Sequence, residues 1–582
     1  MAKICMDYYT GKYEYSEGND VEQDILNYVT KYKEIDYPKI IGNDSRWTVF
    51  YHLSDIRKAL LSWYPFKKED SVLEIGAGMG ALTGLLCEKC KYVAAVELSQ
   101  VRAQAIYQRY KNYLNLDIFV GNVVDITFEK KFDYITLIGV LEYQGNYSYK
   151  INPYIEFLKS IKSLLKPNGK ILIAIENKYG IKYWCGAPED HTGKIFDGIN
   201  NYPDGGKART FDKAELISIL QSACLNKYKF YYPMPDYKLP QMVFSDEGLP
   251  KENMPHRVIP YYLYYPTLIA NEKKIYDDLL KNHVFDFFAN SYLIECGKDE
   301  SQLSDIIMAS ITADRKRTHQ METIVHLDGT VEKAALNADG LALIEGAYEN
   351  IKELQEKNIA IIPHVFENDK IIMPYIEAPS LEDVLVNKIK SHSFDEFYSL
   401  LNKYYDDILK SSEESKILDG DIVEIAERQG ISLHIFNPVL KTAYIDLIPH
   451  NCMVREDKYV YFDQEFKKRN YPASFMLFRT FKNLYAFNTW VEDILPLEAV
   501  KEKYDLNNIW SIYDEIDKKC LEELTERGIS DRLGAYWFVD PMTYQLNSLF
   551  LMKRLSLENM ISQKEEKEKE LISQEEEKER EL

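Results

Sequence analysis

The sharpest change of pattern along the chain lies between residues 71 and 90. Val72, Leu73 and Ile75 form a short apolar run, Gly76, Gly78 and Gly80 follow at once, and Leu82, Leu85 and Leu86 then recur at helical spacing. A short apolar run that gives way to closely spaced glycines and then to a 3.6-residue period predicts a strand, a tight turn and a helix. The alternation continues. Lys91–Leu98 is apolar and reaches Glu97, Asp117–Val120 runs into Gly121-Asn122, and Phe132–Val140 ends at Leu141-Glu142-Tyr143. Pro153–Leu165 has helical spacing, Lys166-Pro167-Asn168-Gly169 is a turn, and Lys170–Ile175 is a further strand ending in Glu176-Asn177. Strands that alternate with helices predict a parallel sheet, whose ligands sit at the carboxyl ends of the strands. Gly76, Glu97, Asn122, Glu142 and Glu176 all fall at such ends. Farther on, Phe211–Leu220 reads as a helix and Tyr228–Tyr232 with Ala289–Cys296 as a closing antiparallel pair. Upstream, Trp47–Leu61 reads as a helical lid.

Length and charge narrow this picture. Single cores stop growing near about 250–300 residues, so a chain of 582 residues with 46% hydrophobic content is expected to hold two large domains. The formal net charge of −21 repels a phosphate backbone, which argues against a nucleic-acid substrate. Charge of this sign also disfavours docking on an anionic membrane face. The start of the chain, Met1 to Tyr8, lacks the basic and apolar regions of a signal peptide, and no stretch approaches the roughly 20 apolar residues of a membrane span; a cytoplasmic protein is expected. The 8 cysteines are scattered and read as reduced thiols. Cys87 and Cys90 form a C-x-x-C, but inside a helical pattern with no second pair, so no metal or redox role is assigned.

The chemistry of the Gly-rich turn departs from that of a dinucleotide site. Its spacing is G-x-G-x-G rather than G-x-G-x-x-G, and Glu74 precedes the first glycine by two. An acid there suits a ligand carrying an ammonium group, such as a methionine moiety. Glu97, roughly 20 residues on and at a strand end, is placed to accept both hydroxyls of a ribose. Asn122 lies where an amide can meet an adenine. The segments E-I-G-A-G-M-G, V-E-L, V-G-N, F-D-Y-I-T-L-I-G-V-L-E-Y and L-L-K-P-N-G-K-I-L-I resemble the ordered motifs of class I S-adenosylmethionine (SAM)-dependent methyltransferases over Ser71 to Asn177. The resemblance implies SAM as cofactor, held at its methionine end by Glu74, Gly76, Gly78 and Gly80 and at its ribose by Glu97. An insert from Asn177 to Arg209, rich in glycine, aromatic, acidic and histidine residues, would overhang the site. An oxygen acceptor needs a general base; His191 is the first choice, with Glu142, Glu176 and Asp190 as alternatives.

The second half carries another constellation. In Tyr444–Phe466, Asp446 and Asn451 stand five apart, a hairpin follows, and Asp463 ends the apolar run Tyr459–Phe462. Protein kinases place a catalytic Asp, a Mg2+-binding Asn and a second Mg2+-binding Asp at this spacing. Lys333 lies on the second strand of a hairpin at Thr323–Leu336, and a helix from Gly340 to Lys357 is expected to present Glu345 or Glu349 to it. Ile371–Glu377 resembles an interlobe hinge, and Ser380-Leu381 opens a helix. The resemblance implies ATP on Lys333, Mg2+ on Asn451 and Asp463, and Asp446 as catalytic base. No G-x-G-x-x-G precedes Lys333, Tyr444-Ile445 replaces His-Arg, and Gln464-Glu465 replaces Phe-Gly. Such departures are shared with small-molecule kinases of aminoglycoside-phosphotransferase type and leave a pseudokinase open. In the tail, Ile561–Leu571 and Ile572–Leu582 form an 11-residue repeat, a period that supports a helical supercoil, although the thin apolar stripe suits a solvated single helix equally.

The expected architecture is therefore α/β. A Rossmann-like methyltransferase domain spans 1–298 (core 47–232, final strand about 289–296), an α+β kinase-like domain spans 299–550, and a charged helical or coiled-coil tail spans 551–582. This order resembles the bifunctional kinase/methyltransferase family that terminates O-antigen polysaccharide chains. That resemblance implies a glycan or lipid-linked oligosaccharide acceptor, a glycosyltransferase partner or self-association through the tail, and a peripheral position at the inner face of the plasma membrane. Two alternatives stay open: a methyltransferase with a pseudokinase scaffold, and a non-enzymatic assembly protein, which the intact Glu74–Gly80 turn argues against.

Overall fold

The computed structural model describes residues 1–11, 16–147, 152–205, 208–252, 254–261 and 267–537, with separate positions between 547 and 569. Val72 and Leu73 are fully buried and Ile75 nearly so, and they form a central strand because both faces of a parallel sheet are covered by helices. Fourteen strands make one sheet: β1 (Lys3–Cys5), β2 (Ser71–Ile75), β3 (Tyr92–Glu97), β4 (Leu116–Val120), β5 (Phe132–Ile138), β6 (Leu165–Glu176), β7 (Lys227–Met234), β8 (Met242–Ser245), β9 (Ser291–Gly297), β10 (Ile306–Ile311), β11 (Met321–His326), β12 (Thr330–Ala335), β13 (Val365–Glu367) and β14 (Lys370–Pro374). Their spatial order is β1-β4-β3-β2-β5-β6-β9-β7-β8-β10-β11-β12-β14-β13. From β1 to β6 all neighbours are parallel. β9 inserts antiparallel between β6 and β7, so β7 points the same way as the parallel strands. This is the expected closing pair, and it makes the first half a Rossmann-like sheet.

Three local differences from the sequence expectations have physical causes. The Lys166–Gly169 turn lies within β6 as a register shift, with Phe132 opposite Leu165 and Tyr134 opposite Lys170. The helix expected at 211–220 runs Lys213–Ser222, because Asp212 and Glu215 close a capping box at its start. The lid is not one helix. Trp47–Leu53 is helical, Ser54 turns extended and its hydroxyl accepts from Ile56 N at 3.2 Å, and a 3-10 turn over Asp55–Leu60 follows.

The sheet does not stop at residue 298. β8 pairs antiparallel with β10, and the strands up to β14 extend it. The helix Leu341–Glu356 contributes Ile344, Ala347 and Ile351 to a small apolar cluster with Ile371. The helices Leu381–Lys390, Phe394–Lys410, Ser474–Phe487 and Trp510–Leu524 bury a separate core around Leu385, Leu401, Tyr404, Phe478 and Tyr513, whereas Ile529 and Leu533 of the helix Arg527–Trp537 join the core of the first half. Two short sheets, β15 (Val439–Tyr444) with β18 (Lys467–Pro472) and β16 (Cys452–Arg455) with β17 (Lys458–Tyr461), sit on that core. In the tail, 561–567 are helical and exposed; the second repeat, 572–582, lies outside the described residues. Among the described residues, no helix is long and apolar enough to cross a membrane.

Candidate functional site

A cavity of about 590 Å3 opens at the carboxyl edge of β2–β6. Its floor is the Gly-rich turn. Gly76 and Gly78 hold φ of 73° and 57°, a left-handed backbone that side chains disfavour, and a Cβ on Gly76 would stand 2.5 Å from Val140 Cγ2. Gly76 N and Ala77 N donate to Val96 O at 2.9 and 3.1 Å, which ties the turn to the end of β3. Glu97 is 5% exposed and accepts from Gly78 N at 2.8 Å and Ser99 N at 2.9 Å. Burial raises its carboxyl above the usual range. Glu74 accepts from the Thr83 hydroxyl at 2.6 Å, and burial pushes its carboxyl up to about 8 against that hydrogen bond. Asn122 lines the cavity, its side-chain oxygen accepting from Val124 N at 3.3 Å. Gly80 does not line it: a Cβ there would meet Tyr110 Cε2 at 3.0 Å, so this glycine serves the packing of the helix Gln100–Tyr110.

The opposite wall is polar and comes from the lid and the insert that the sequence singled out, joined by Tyr237 and Lys238, which it did not. Trp47, Tyr51, His52 and Arg57 line it from the broken lid. Arg57 donates to Tyr237 O at 2.8 Å and Lys238 O at 3.1 Å, hooking the segment after β7 over the cavity. Lys238 pairs with Glu176, and Tyr237 OH donates to Glu176 Oε1 at 3.3 Å. The insert after β6 brings Asp190 and His191. Asp190 pairs with Lys182 at 2.8 Å and Lys238 at 3.2 Å, and Lys182 also meets the fully buried Asp236 at 2.6 Å. His191 Nδ1 lies 3.0 Å from Glu189 Oε1, and Nε2 lies 3.8 Å from Glu142 Oε1. Burial alone would lower the imidazole's pKa, but Glu176, Glu142 and Glu189 together raise it well above the ordinary value. Burial raises Glu142; at Glu176 burial is the largest single influence, but Lys238, His191 and Lys182 together outweigh it and lower the carboxyl.

The second constellation also converges. Asn451 Nδ2 donates to Asp446 O at 3.1 Å and Asp463 O at 3.3 Å, and Gln464 Nε2 donates to Asp446 O at 2.9 Å. Asp446 Oδ2 accepts from Phe466 N at 2.8 Å; desolvation and then Glu465 push its carboxyl up to about 6. Lys333 pairs with Asp463 and, at 2.5 Å, with Glu465, which Arg315 also grips at 2.7 Å. The partner expected from the helix is corrected here. Glu345 is exposed and Glu349 pairs with Lys352 at 2.7 Å on the surface. The buried stripe Ile344, Ala347 and Ile351 instead carries Asn350 inward, where it donates to Gln464 O at 3.0 Å and Glu465 O at 3.2 Å. The space beside Lys333, lined by Ile351, Ile371 and Phe462, is about 10 Å3.

Residues 46–223 match a family model described as a methyltransferase domain. With the strand order and the Gly-rich turn, that match defines this part of the chain as a class I SAM-dependent methyltransferase domain. The chain is 27% identical over 107 residues to the ribosomal RNA small subunit methyltransferase A of Syntrophus aciditrophicus, covering 18% of this chain and 36% of that protein. It is 33% identical over 131 residues to an uncharacterized methyltransferase of Staphylococcus carnosus, covering 22% and 57%. Each curated relative is thus spanned over less than two thirds of its length. A solved structure of a possible histamine N-methyltransferase of Thermotoga maritima aligns over 46% of this chain and 98% of that one, at 15% identity and a TM-score of 0.27.

Proposed function

We propose that this protein transfers the methyl group of SAM to an oxygen of a polar, polyhydroxylated acceptor such as a sugar or sugar phosphate. The observation that carries this is a single cavity that joins the Gly76–Gly78 turn, Glu74 and Glu97 to a wall of Trp47, Tyr51, Glu142, Glu176, Asp190 and Lys238. SAM supplies an electrophilic methyl, which the acceptor oxygen takes by in-line displacement as the sulfur leaves with the bonding electrons, and the proton of a hydroxyl acceptor passes to a carboxylate of this wall. The chain's part is to position and to exclude water. Gly76 and Gly78 let the backbone approach the methionine end, Glu97 accepts from the ribose, and the lid residue Arg57 fixes the 235–238 segment over the acceptor. Trp47 and Tyr51 line the cavity already stacked on Tyr261 and Arg57, and Lys238 suits an anionic group. The rRNA methyltransferase of Syntrophus aciditrophicus is spanned over only 36% of its length, and a net charge of −21 argues against an RNA acceptor. Transfer of a labelled methyl group to sugar and sugar-phosphate acceptors, beside 16S rRNA, tests this; labelling of rRNA alone would contradict it.

The ionisation of Glu74 gives a second test. Below about pH 8 its buried carboxyl is mostly protonated, and a bound ammonium favours the charged form. SAM binding at pH 7 is therefore expected to release a proton from Glu74, and affinity is expected to rise from pH 6 to pH 8. Titration in buffers of different ionisation enthalpy measures the release, and Glu74→Gln is expected to abolish it.

We further propose that the second half is kinase-like and binds Mg2+-nucleotide, in line with the bifunctional glycan-modifying family. The meeting of Asp446, Asn451, Asp463 and Lys333 supports this reading. Nucleotide must part the Lys333–Asp463 pair, because the space beside it is small. Asp463→Ala is expected to abolish Mg2+-dependent ATP binding and leave SAM binding intact. If the wild type binds no ATP with Mg2+, this half is a scaffold.

A further inference from the structure

Glu142, Glu176 and His191 come from the 3-10 turn after β5, the end of β6 and the insert, and meet at the edge of the cavity. Each offers one ligand atom, and these atoms lie within 4.8 Å of one another. Glu142 and Glu176 are both 1% exposed, yet the Oε2 atom of each has no hydrogen-bond partner. Buried carboxylate oxygens are normally satisfied, because removing charge from water without compensation is costly. Two bare oxygens on one cavity wall leave a place for a cation.

His191 is oriented accordingly. Its Nδ1 faces Glu189 Oε1 at 3.0 Å, and Glu189 is itself fixed by His191 N at 2.8 Å and Thr192 N at 2.7 Å. Metal-bound imidazoles commonly give their other N–H to a carboxylate, which fixes the ring and turns the free nitrogen to the ion. Here that nitrogen is Nε2, on the side of Glu142. The surroundings are rich in carboxylates: Lys182 meets Asp190 and Asp236, Lys238 meets Glu176 and Asp190, and Glu142 and Glu189 face His191.

We propose that Glu142, Glu176 and His191 bind a divalent metal ion whose open positions take oxygen atoms of a polyhydroxylated acceptor. The acceptor clause rests on the methyl-transfer reading above; the metal site can be tested without it. Carboxylate and imidazole donors together suit first-row ions, so Mn2+ is the probe. The full chain carrying Asp463→Asn, which removes the cation position expected in the second half, is titrated with Mn2+ and free ion is followed by electron paramagnetic resonance. One Mn2+ per chain is expected. Glu142→Gln and His191→Ala in that background, with folding checked by circular dichroism, are each expected to weaken it by at least about 10-fold. Glu97→Ala in the same background is expected to keep Mn2+ while losing SAM, which separates failure of the metal site from failure of the methyl-transfer reading. No bound Mn2+, or binding unchanged by both Glu142→Gln and His191→Ala, overturns the proposal.

Discussion

The Glu97→Ala protein is expected to bind SAM about 100- to 20,000-fold more weakly than the wild type, since two hydrogen bonds to a charged acceptor contribute roughly 1.5–3 kcal/mol each. The loss has two parts. On the proposed reading the ribose hydroxyls lose their shared acceptor, and Gly78 N and Ser99 N lose the carboxylate that holds the Gly-rich turn against β3. Glu97→Gln keeps an acceptor oxygen without the charge and is expected to fall between the two. Displacement titration with S-adenosylhomocysteine measures all three; an unchanged affinity in Glu97→Ala would remove this residue from the site.

Glu295→Ala is expected to lower stability by about 3–5 kcal/mol, the cost of removing one partner of a buried ion pair. Glu295 on β9 is fully buried and pairs with Lys170 at 2.7 Å, accepts from Tyr64 OH at 2.7 Å, and accepts from Ser304 N at 3.0 and 3.1 Å. These bonds tie the closing strand of the methyltransferase sheet to the segment that enters β10. Truncation leaves the Lys170 ammonium, which is 13% exposed, without its carboxylate, and removes the acceptor of Tyr64 OH, Tyr231 OH and Ser304 N. Glu295→Gln is expected to cost less, because it keeps an acceptor for Tyr64 and Ser304. Urea unfolding of the three proteins decides it; a loss below 1 kcal/mol in Glu295→Ala would mean that the pair contributes little.

The cofactor half of the site was legible because its signals are local. A strand, three glycines, and an acid at the end of the next strand lie within one stretch of chain, and their geometry follows from backbone rules. The acceptor wall was legible only in part. Glu142, Glu176 and His191 could be placed because they end strands or lie in the insert, but Tyr237 and Lys238 could not. The closing pair that sets the direction of β7 was read from the sequence, but Tyr237 and Lys238 come to this edge through Arg57, which donates to their carbonyls from 180 residues upstream, a contact with no local signature. The reverse holds for Asn350. The apolar positions Ile344, Ala347, Ile351 and Leu354 mark the buried stripe of its helix, so the period itself puts Asn350 inward and Glu345 and Glu349 outward. There the kinase resemblance drew attention to the acids and away from the period. The continuation of the sheet through β8 and β10 was hidden for a different reason: it depends on backbone edges meeting, which side-chain patterns do not encode.

The most direct test of the central claim is calorimetric titration of the full-length protein with SAM. One saturable site per chain is expected, retained in Asp463→Ala and lost in Glu97→Ala. A wild-type protein that is folded by circular dichroism but gives no saturable binding of SAM or S-adenosylhomocysteine would contradict the account.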